Sequence, residues 1–384
     1  MTLRRKQILD FYLGGFLILV LRPIVALAGR VLRRDHDLRV RGEICVQKLL
    51  GGGSLVLAYP ALLGLRRRWP EARLSLVCTP AVVPFAETLQ IFDRLLVIDD
   101  SGPLRLLWSA LVAWSRCFRA DTLVDLEVYS RLSTVFAALT CARNRLGFFL
   151  HEAFWRRGLH THLIFFNRFS GVWFFYEKAV ELLGAQPAPI EECRKQLLVG
   201  LRARRDSAAL ETICVGCGSS ELAPERMLTA KQWQAVFAQR ARGSSGRRFM
   251  FLGAASDRAL ADSICRELEQ VLPQHRYENG CGALTLPESL AELAAASGYW
   301  GVDSALLHYA RLFGLRCVSW WGPTDPRTLL RPNPGLEEEV VYRKIPCSPC
   351  VHVAEQPPCR GNNLCIQNLF KPAGDEPDWP AYVD

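Results

Sequence analysis

The stretch ICVQKLLGGGSLVLAYPALLGL, residues 44–65, decides the fold of this chain. Its apolar start, residues 44–50, predicts a short buried strand, and the segment that runs to Leu65 predicts a helix. A strand, a glycine turn and a helix in this order begin a parallel βαβ unit. The turn, residues 51–54, lets the backbone approach a ligand, and the helix N-terminus favours an anion there. A purely structural turn explains three glycines equally well.

Further strands and helices alternate after this stretch. Leu74–Cys78 predicts a second strand, a helix follows around Phe85, and residues 95–98 predict a third strand. A fourth predicted strand, residues 123–126, is followed by polar side chains of the kind that bind ligands at the carboxyl edge of a parallel sheet: Glu127, Tyr129, Arg131 and Ser133. The alternative is an exposed strand end with solvated charges.

The same pattern starts again after a charged stretch at residues 202–205. Residues 212–215 predict a strand, residues 216–224 a polar loop, and residues 229–240 a helix that Thr229 can cap. A strand ending at Leu252-Gly253, a helix near Ser256-Asp257 and a capping box from Thr285 to Glu288 come next. We therefore expect two Rossmann-like domains at 43–205 and 206–335, an N-terminal segment at 1–42 and a cysteine-rich segment at 336–384.

Length and composition agree with two packed cores. The chain has 384 residues, of which 50% are hydrophobic and 22% charged, and this composition excludes global disorder. The net charge of +9 is concentrated in arginines near the N-terminus, which predicts an anionic partner. These arginines flank apolar segments, and no nucleic-acid-binding motif occurs, so a membrane surface is favoured over nucleic acid.

The N-terminal segment is apolar but interrupted by charges. Its longest uncharged run, residues 11–21, is shorter than the roughly 20 residues that a spanning helix needs. We expect an interfacial or re-entrant segment that is broken near Pro23 and held at the membrane by arginines. A helix packed on the protein's own surface is the alternative, and Arg22-Pro23 argues against a cleaved signal peptide.

Fourteen cysteines are present, and most stand singly in apolar runs, as Cys45, Cys78, Cys141 and Cys317 do. We interpret these as small buried side chains of a protein in a reducing cytoplasm. Near the C-terminus four further cysteines have a spacing that suits a closed structural zinc site, while disulfides and free thiols remain alternatives: Cys347, Cys350, Cys359 and Cys365.

Six short phrases follow one another in a characteristic order along residues 43 to about 370: Tyr59-Pro60-Ala61-Leu62, residues 144–148, residues 226–233, Leu252-Gly253 with Asp257, Val302-Asp303-Ser304 with His308, and residues 322–326. In this order they resemble glycosyltransferase family 9, the group that contains the lipopolysaccharide heptosyltransferases. The resemblance implies an α/β fold of the GT-B type, with two Rossmann-like doubly wound domains facing a central cleft. It also implies an acceptor on the first domain, a nucleotide sugar on the second, inversion at the sugar and no catalytic metal.

One position departs from the family where the chemistry would need a base. The family has an aspartate after the glycine of the first turn, and this sequence has Ser54, which cannot replace a carboxylate. Glu127, at the end of a neighbouring strand, is our substitute candidate. The acceptor would contact Gly52, Gly53, Ser54, Tyr129 and Arg131.

Donor contacts follow from the same resemblance. Arg226 matches the family's lysine before the capped helix and would pair with the diphosphate, with Lys231 as a weaker alternative. Asp303, Ser304 and His308 match an Asp-Ser-Gly-x-x-His element whose glycine is Ala305 here. Further donor contacts are expected from Gly218, Ser219, Ser220, Ser256 and Asp257. Thr324 and Asp325 are expected to cap the turn that follows them, with contact to the donor as the alternative.

The resulting hypothesis is an inverting, metal-independent transferase that moves heptose or a related sugar, from ADP-heptose or a similar donor, to a lipopolysaccharide-core or other lipid-linked acceptor. We expect it at the cytoplasmic face of a bacterial inner membrane. A catalytically silent member that binds nucleotide sugar or glycolipid is the alternative, because Ser54 and Ala305 depart from the family. A sugar-nucleotide epimerase is disfavoured, because the ordered phrases are those of the transferases.

Overall fold

The computed structural model describes residues 3–201, 211–220, 223–243, 246–351 and 357–372. The chain divides into two compact units, Met1–Cys193 and Arg194–Asp384. The charged stretch at residues 202–205 lies outside the described residues.

The first unit is a parallel sheet with helices between its strands. In chain order its elements are α1 (Leu3–Leu32), β1 (Ile44–Gln47), α2 (Gly52–Arg68), β2 (Leu74–Cys78), α3 (Val83–Leu89), β3 (Arg94–Val97), α4 (Pro103–Cys117), β4 (Thr122–Asp125), α5 (Arg131–Leu139), β5 (Asn144–Phe149), β6 (His162–Phe165) and α6 (Val172–Glu181), and the unit ends within α7 (Ile190–Val199). The strands pair in the order β3-β2-β1-β4-β5-β6, and every pairing is parallel.

The quoted stretch forms the centre of this unit. Helix α2 begins directly after Gly51, which adopts φ 79°, and side chains from Leu55 to Leu65 are almost all buried. A Cβ on Gly52 would lie 2.2 Å from Cδ2 of Phe85, and one on Gly64 would lie 1.9 Å from the backbone oxygen of Gln186. The glycines therefore permit close packing on both sides of α2, whatever further role the turn has.

The second unit repeats the arrangement. Its elements are β7 (Thr212–Gly216), α8 (Ala230–Arg240), β8 (Arg248–Phe251), α9 (Arg258–Val271), β9 (Arg276–Asn279), α10 (Leu286–Ala295), β10 (Gly298–Val302), α11 (Ala305–Leu312), β11 (Arg316–Trp321), α12 (Pro326–Leu329), β12 (Glu338–Tyr342) and α13 (Leu364–Gln367). The strand order is β12-β11-β10-β7-β8-β9, again parallel throughout. In each sheet the first three strands in sequence are placed from the centre toward one edge, and the next three are placed from the centre toward the other edge, as in Rossmann folds.

The predicted α/β fold with two doubly wound sheets is confirmed by this architecture. Thr229 caps α8 as predicted, and its hydroxyl and Gln232 form a capping box. Thr285 and Glu288 form the predicted capping box at the start of α10. Asp325 caps α12 by accepting a hydrogen bond from the Arg327 backbone at 2.9 Å, also as predicted.

The N-terminal helix differs from the expectation. Helix α1 continues through Pro23 from Leu3 to Leu32, so the predicted break was wrong. It packs along α5, where Ile18 is buried against Val135 and Leu159. By length and composition alone, α1 could cross a membrane. Much of its apolar surface is exposed, including Phe16 and Leu19.

A carboxylate fastens α1 to α5. Asp10 accepts hydrogen bonds from the Ser130 hydroxyl at 2.6 Å and from the backbone amides of Arg131 and Leu132 at 2.9 Å each. These amides belong to the first turn of α5, where backbone N–H groups have no acceptor within their own helix. The helix dipole also favours a negative charge there. Gly14 allows close contact, since a Cβ there would lie 2.6 Å from Cβ of Arg131. Asp10 thus supplies an N-cap from another helix.

One of the four cysteines interpreted as buried is exposed. Cys45, Cys78 and Cys317 are buried as expected, but Cys141 lies at the surface with φ 52°, two residues after α5. The reason is local: the chain turns sharply here to enter β5, so the side chain points outward despite its apolar neighbours.

Replacement of Asp10 by alanine should loosen the first turn of α5. The change removes three hydrogen bonds to a charged acceptor, and loss of an N-cap costs about 0.5–2 kcal/mol. Native-state hydrogen exchange should show faster exchange of the Arg131 and Leu132 amides. Asp35→Ala, which removes an exposed carboxylate paired with Arg41, is the control and should leave these amides unchanged. Equal protection in Asp10→Ala would mean that the cap contributes nothing to docking.

Candidate functional site

The first unit places polar groups at the carboxyl edge of its sheet, where the strand order reverses. Strands β1 and β4 are neighbours there, and Gln47 pairs in register with Asp125. Lys48 and Glu127 follow at the ends of these two strands. This edge is the usual ligand-binding region of open parallel sheets.

Glu127 organises the turn that leads from β1 to α2. Its Oε1 accepts hydrogen bonds from Nζ of Lys48 at 3.0 Å and from the backbone amides of Leu49 and Leu50 at 2.7 and 3.0 Å. Burial by itself would lower the pKa of Lys48, but the Glu127 carboxylate outweighs burial and the pKa is raised. Oε1 is therefore committed to holding the turn, and Oε2 is the oxygen through which Glu127 could accept a further proton.

Ser54, which the resemblance aligns with an aspartate, lies half-buried in the first turn of α2. Its side chain hydrogen-bonds the Tyr176 hydroxyl, whose pKa is raised because the ring is buried. Gly52 and Gly53 stand beside it, also half-buried, while Tyr129 is exposed after β4. The structure thus brings Ser54, Lys48 and Glu127 to the same strand ends.

Arg131 has partners in α1. Its guanidinium stacks on the rings of Phe11 and Trp155, at 4.0 and 4.8 Å from their centroids, and donates to the Phe11 backbone oxygen at 2.8 Å. These contacts fasten α1 to α5, and the acceptor role expected of Arg131 stays a prediction.

A buried charged network beneath this edge was missed in the sequence. Asp125 contacts Arg156 at 3.0 Å, the Ser133 hydroxyl at 2.9 Å and His160 at 3.4 Å, all within the core. Burial raises the pKa of Asp125, but Arg156 and its hydrogen-bonding partners outweigh burial and lower it. The signal was present, since Asp125 is a carboxylate in an otherwise apolar strand, but its charged partner Arg156 and His160 lie about 30 or more residues away in sequence.

The second unit also collects polar side chains at its carboxyl edge. Nη1 of Arg226 donates to Oδ2 of Asp303 at 3.2 Å, and Nη2 donates to the Ser220 hydroxyl at 2.9 Å. Oδ2 of Asp303 also accepts a hydrogen bond from the Thr324 hydroxyl at 2.9 Å. The expected cap role of Thr324 is replaced by this contact. Arg226, Asp303 and Ser220, identified separately in the sequence, therefore form one group.

His308 lies close to Asp303, in the first turn of α11. Its Nε2 is 3.9 Å from Oδ1 of Asp303, and burial lowers its pKa to about 4. Ser304 occupies the N-cap position of α11, and its hydroxyl is 3.3 Å from the Tyr299 hydroxyl. Ala305 is the first helical residue, where an alanine fits the backbone without strain.

Asp257 holds two loops of this edge together. Its Oδ2 accepts a hydrogen bond from the Ala254 amide at 2.8 Å, and Ser256 lies 3.4 Å from Oδ1. A Cβ on Gly218 would lie 2.1 Å from the Asp257 carboxyl carbon, so this glycine permits the close approach. Ser219 donates to the Ala223 backbone oxygen at 3.0 Å. Burial raises the pKa of the Asp257 carboxyl.

The C-terminal cysteines lie near one another without a metal-binding arrangement. Burial raises the pKa of Cys350 to about 11 and that of Cys365 to about 12, and neighbouring thiols, including Cys347 and Cys359, add to both rises. All fourteen cysteines are free thiols. Within the described ranges, no three cysteine, histidine or acidic side chains are grouped closely enough to hold a metal ion. The structural zinc stays a prediction.

Comparison with known proteins finds a family model that matches part of the chain, from the end of the first unit through most of the second. Residues 182–359 match the model of glycosyltransferase family 9 (heptosyltransferase), which confirms the resemblance seen in the sequence. No curated protein sequence matches this chain.

Solved structures share the fold at low sequence identity. A glycosyl transferase of family 9 from Veillonella parvula is 19% identical, with a TM-score of 0.59 over 79% of this chain and 86% of that chain. ADP-heptose lipopolysaccharide heptosyltransferase II of E. coli is 16% identical, with a TM-score of 0.58 over 79% and 91% of the two chains. E. coli heptosyltransferase WaaC with ADP-2-deoxy-2-fluoro heptose is 13% identical, with a TM-score of 0.59 over 79% and 93%. These likenesses establish a fold of the GT-B kind.

The buried His308 should make stability depend on pH. Its pKa is about 4 in the folded chain against an ordinary value of 6.5, so the unfolded chain binds a proton first as the pH falls. The free energy of unfolding therefore keeps its full value above about pH 6.5. It decreases progressively as the pH falls toward 4, by about 3 kcal/mol at most.

Thermal melts of His308→Asn across this range should show a flatter pH dependence than the native chain. His151→Asn, which replaces an exposed histidine, serves as the control and should follow the native profile. A His308→Asn profile parallel to the native one would contradict a neutral, buried His308.

Proposed function

Since residues 182–359 match glycosyltransferase family 9 and both sheets have the fold of solved heptosyltransferases, we propose that this chain transfers heptose or a related sugar from a nucleotide sugar to a lipid-linked saccharide. The observation that carries the proposal is the Arg226, Asp303 and Ser220 group at the carboxyl edge of the second sheet. One of the solved neighbours contains ADP and another an ADP-heptose analogue, which makes ADP-heptose the first donor to test.

The donor would be held by the second unit. Arg226 has a side chain only 15% exposed, and its planar guanidinium can pair two diphosphate oxygens. Its partner Asp303 keeps it in place before ligand arrives, and the Asp303 carboxylate is suited to accept hydrogen bonds from sugar hydroxyls. A fixed positive group near the departing diphosphate stabilises the charge that develops there, so transfer can proceed without a metal ion.

The acceptor hydroxyl must lose a proton during inversion, and the first unit would supply the base. Glu127 combines two properties that support it. Its Oε1 is fixed by Lys48 and two amides, which orients the carboxylate, and Oε2 remains to take the proton. Position 54 could hold a base only in a variant such as Ser54→Asp, because the native serine has no carboxylate.

Helix α1 supports a membrane-associated acceptor. Eleven of its large apolar side chains are exposed, and arginines stand at both of its ends. A surface of this kind favours an interfacial position on an anionic membrane. We accordingly place the protein at the cytoplasmic face of a bacterial inner membrane, with a lipopolysaccharide-core or related acceptor.

A silent binding protein is the second candidate, and Ser54 favours it. The side chain at the family's aspartate position bonds the Tyr176 hydroxyl and has no carboxylate. Such a protein would bind nucleotide sugar through Arg226 and Asp303 without transferring it.

Donor binding should depend on Arg226. Loss of its charge-assisted hydrogen bonds in Arg226→Ala should weaken ADP and ADP-heptose binding about 10- to 100-fold in calorimetric titrations. Asp303→Asn should weaken the nucleotide sugar more than ADP, because it alters the group assigned to the sugar. The control is Arg240→Ala, which removes an arginine that pairs with Glu339 on the same unit. If both site variants bind ADP and ADP-heptose with native affinity, Arg226 and Asp303 have only a structural role.

The base is tested by Glu127→Gln. This change keeps the acceptor for the Leu49 and Leu50 amides but removes the proton-accepting carboxylate, so turnover should fall by a factor of roughly 100 to 10,000 with donor affinity preserved. Lys48→Gln breaks the ion pair while leaving the carboxylate, and it separates the two roles of Glu127. Equal losses in both variants would show that Glu127 only holds the turn. An inactive native chain that gains activity through Ser54→Asp would instead establish the silent binder.

A further inference from the structure

Helix α4 presents an apolar face to solvent. Five large apolar side chains are exposed at helical spacing along one side: Leu104 (82% exposed), Leu107 (60%), Trp108 (71%), Leu111 (47%) and Val112 (43%). The opposite side, with Ala113 and Cys117, is buried in the core of the first unit. A surface helix normally turns its polar side outward, but α4 is apolar on both sides, and no element among the described residues covers its outer side.

Contacts near both ends relate α4 to α1. Lys6 of α1 forms an ion pair with Asp100, just before α4 begins. At the other end, Nε1 of Trp114 in α4 donates to the Leu139 oxygen at 2.9 Å, and Arg34, just past α1, donates to the Cys141 oxygen at 2.8 Å. Both acceptors mark the end of α5. Helices α1 and α4 thus run in the same direction, fastened at matching ends.

The charges around α4 fit an anionic bilayer. The helix contains no acidic residue, and Arg105, Arg116 and Arg119 are exposed along it or just past its end. The nearest carboxylates are already engaged: Asp99 faces Arg105 at 3.9 Å, and Asp100 pairs with Lys6. Arginines beside an apolar stripe let the side chains enter the acyl region while the guanidinium groups meet lipid phosphates.

We propose that α4 is a second membrane-inserting helix, and that α1 and α4 together seat the first unit on an anionic lipid bilayer. The inference rests on the proposed membrane location and deepens it. Two parallel apolar helices fix the orientation of the unit, whereas a single helix leaves it free to rotate about one axis. An acceptor embedded in the same bilayer then meets this unit in one orientation.

The full chain is tested by flotation with vesicles of phosphatidylglycerol and phosphatidylcholine. Leu107→Glu/Leu111→Glu should lower the partition coefficient about tenfold or more, because two charges enter the apolar stripe. Val199→Glu/Val271→Glu, which changes two exposed valines of the second unit in the same way, is the matched control and should float like the native chain. A native circular dichroism spectrum and melting temperature in each variant verify that the fold is retained.

Trp108 supplies a direct readout of insertion. Vesicles with brominated acyl chains should quench its fluorescence, and Trp108→Phe should remove that part of the quenching while floating normally. Unchanged quenching in Trp108→Phe, or native flotation of the α4 variant, would overturn the inference.

A third variant separates this inference from the membrane proposal itself. Leu19→Glu/Leu27→Glu alters exposed positions of α1. Detachment of this variant with native flotation of the α4 variant would leave α1 as anchor and reject α4. Native flotation of both variants would reject both helices as the membrane contact, and a native chain that does not float would reject the membrane location itself. A sedimentation mass of two chains that Leu107→Glu/Leu111→Glu reduces to one would show that α4 binds a second copy, which also overturns the inference.

Discussion

Parallel pairing at the centre of each sheet is the constraint on which the rest of this structure depends. Strand β1 pairs with both β2 and β4, and β7 pairs with both β8 and β10. The connections after the two central strands of each sheet therefore lead toward opposite edges of that sheet. Residues that follow the two central strands must then meet at one edge. Lys48 and Glu127 meet in this way in the first unit, as Ser220 and Asp303 approach one Arg226 side chain in the second.

The two edges have different chemical characters. In the first unit a carboxylate is held by a lysine and two amides, and a buried Asp125 and Arg156 pair lies beneath it. In the second unit an arginine is held by a carboxylate, and a neutral histidine lies beside that carboxylate. One edge is thus suited to receive a proton and the other to receive negative charge, which is the division that sugar transfer from a diphosphate requires.

Much of this arrangement was predictable because it depends on local sequence. The strand, turn and helix at residues 44–65 and the capping residues Thr229 and Thr285 act on neighbours within a few positions. The contacts of Arg131, Asp10 and Asp125 were not predictable, because their partners lie far away in sequence and only the folded chain brings them together. Pro23 misled the prediction for a physical reason. A proline removes one backbone hydrogen bond, and in α1 the remaining bonds and the packing on α5 maintain a continuous helix.

The cap from Asp10 to α5 has a consequence for how the chain is made. Ser130 follows Asp10 by 120 residues, so at about 5–20 residues per second the ribosome releases α1 roughly 6–24 s before its partner exists. During that interval α1 is an apolar helix with an unsatisfied carboxylate. An aspartate at the centre of a spanning helix costs about 2.5–3.5 kcal/mol, and Asp10 lies nearer the N-terminal end of α1, where the cost is smaller. The same side chain that later joins two helices therefore makes insertion of the nascent helix across a membrane less favourable during translation.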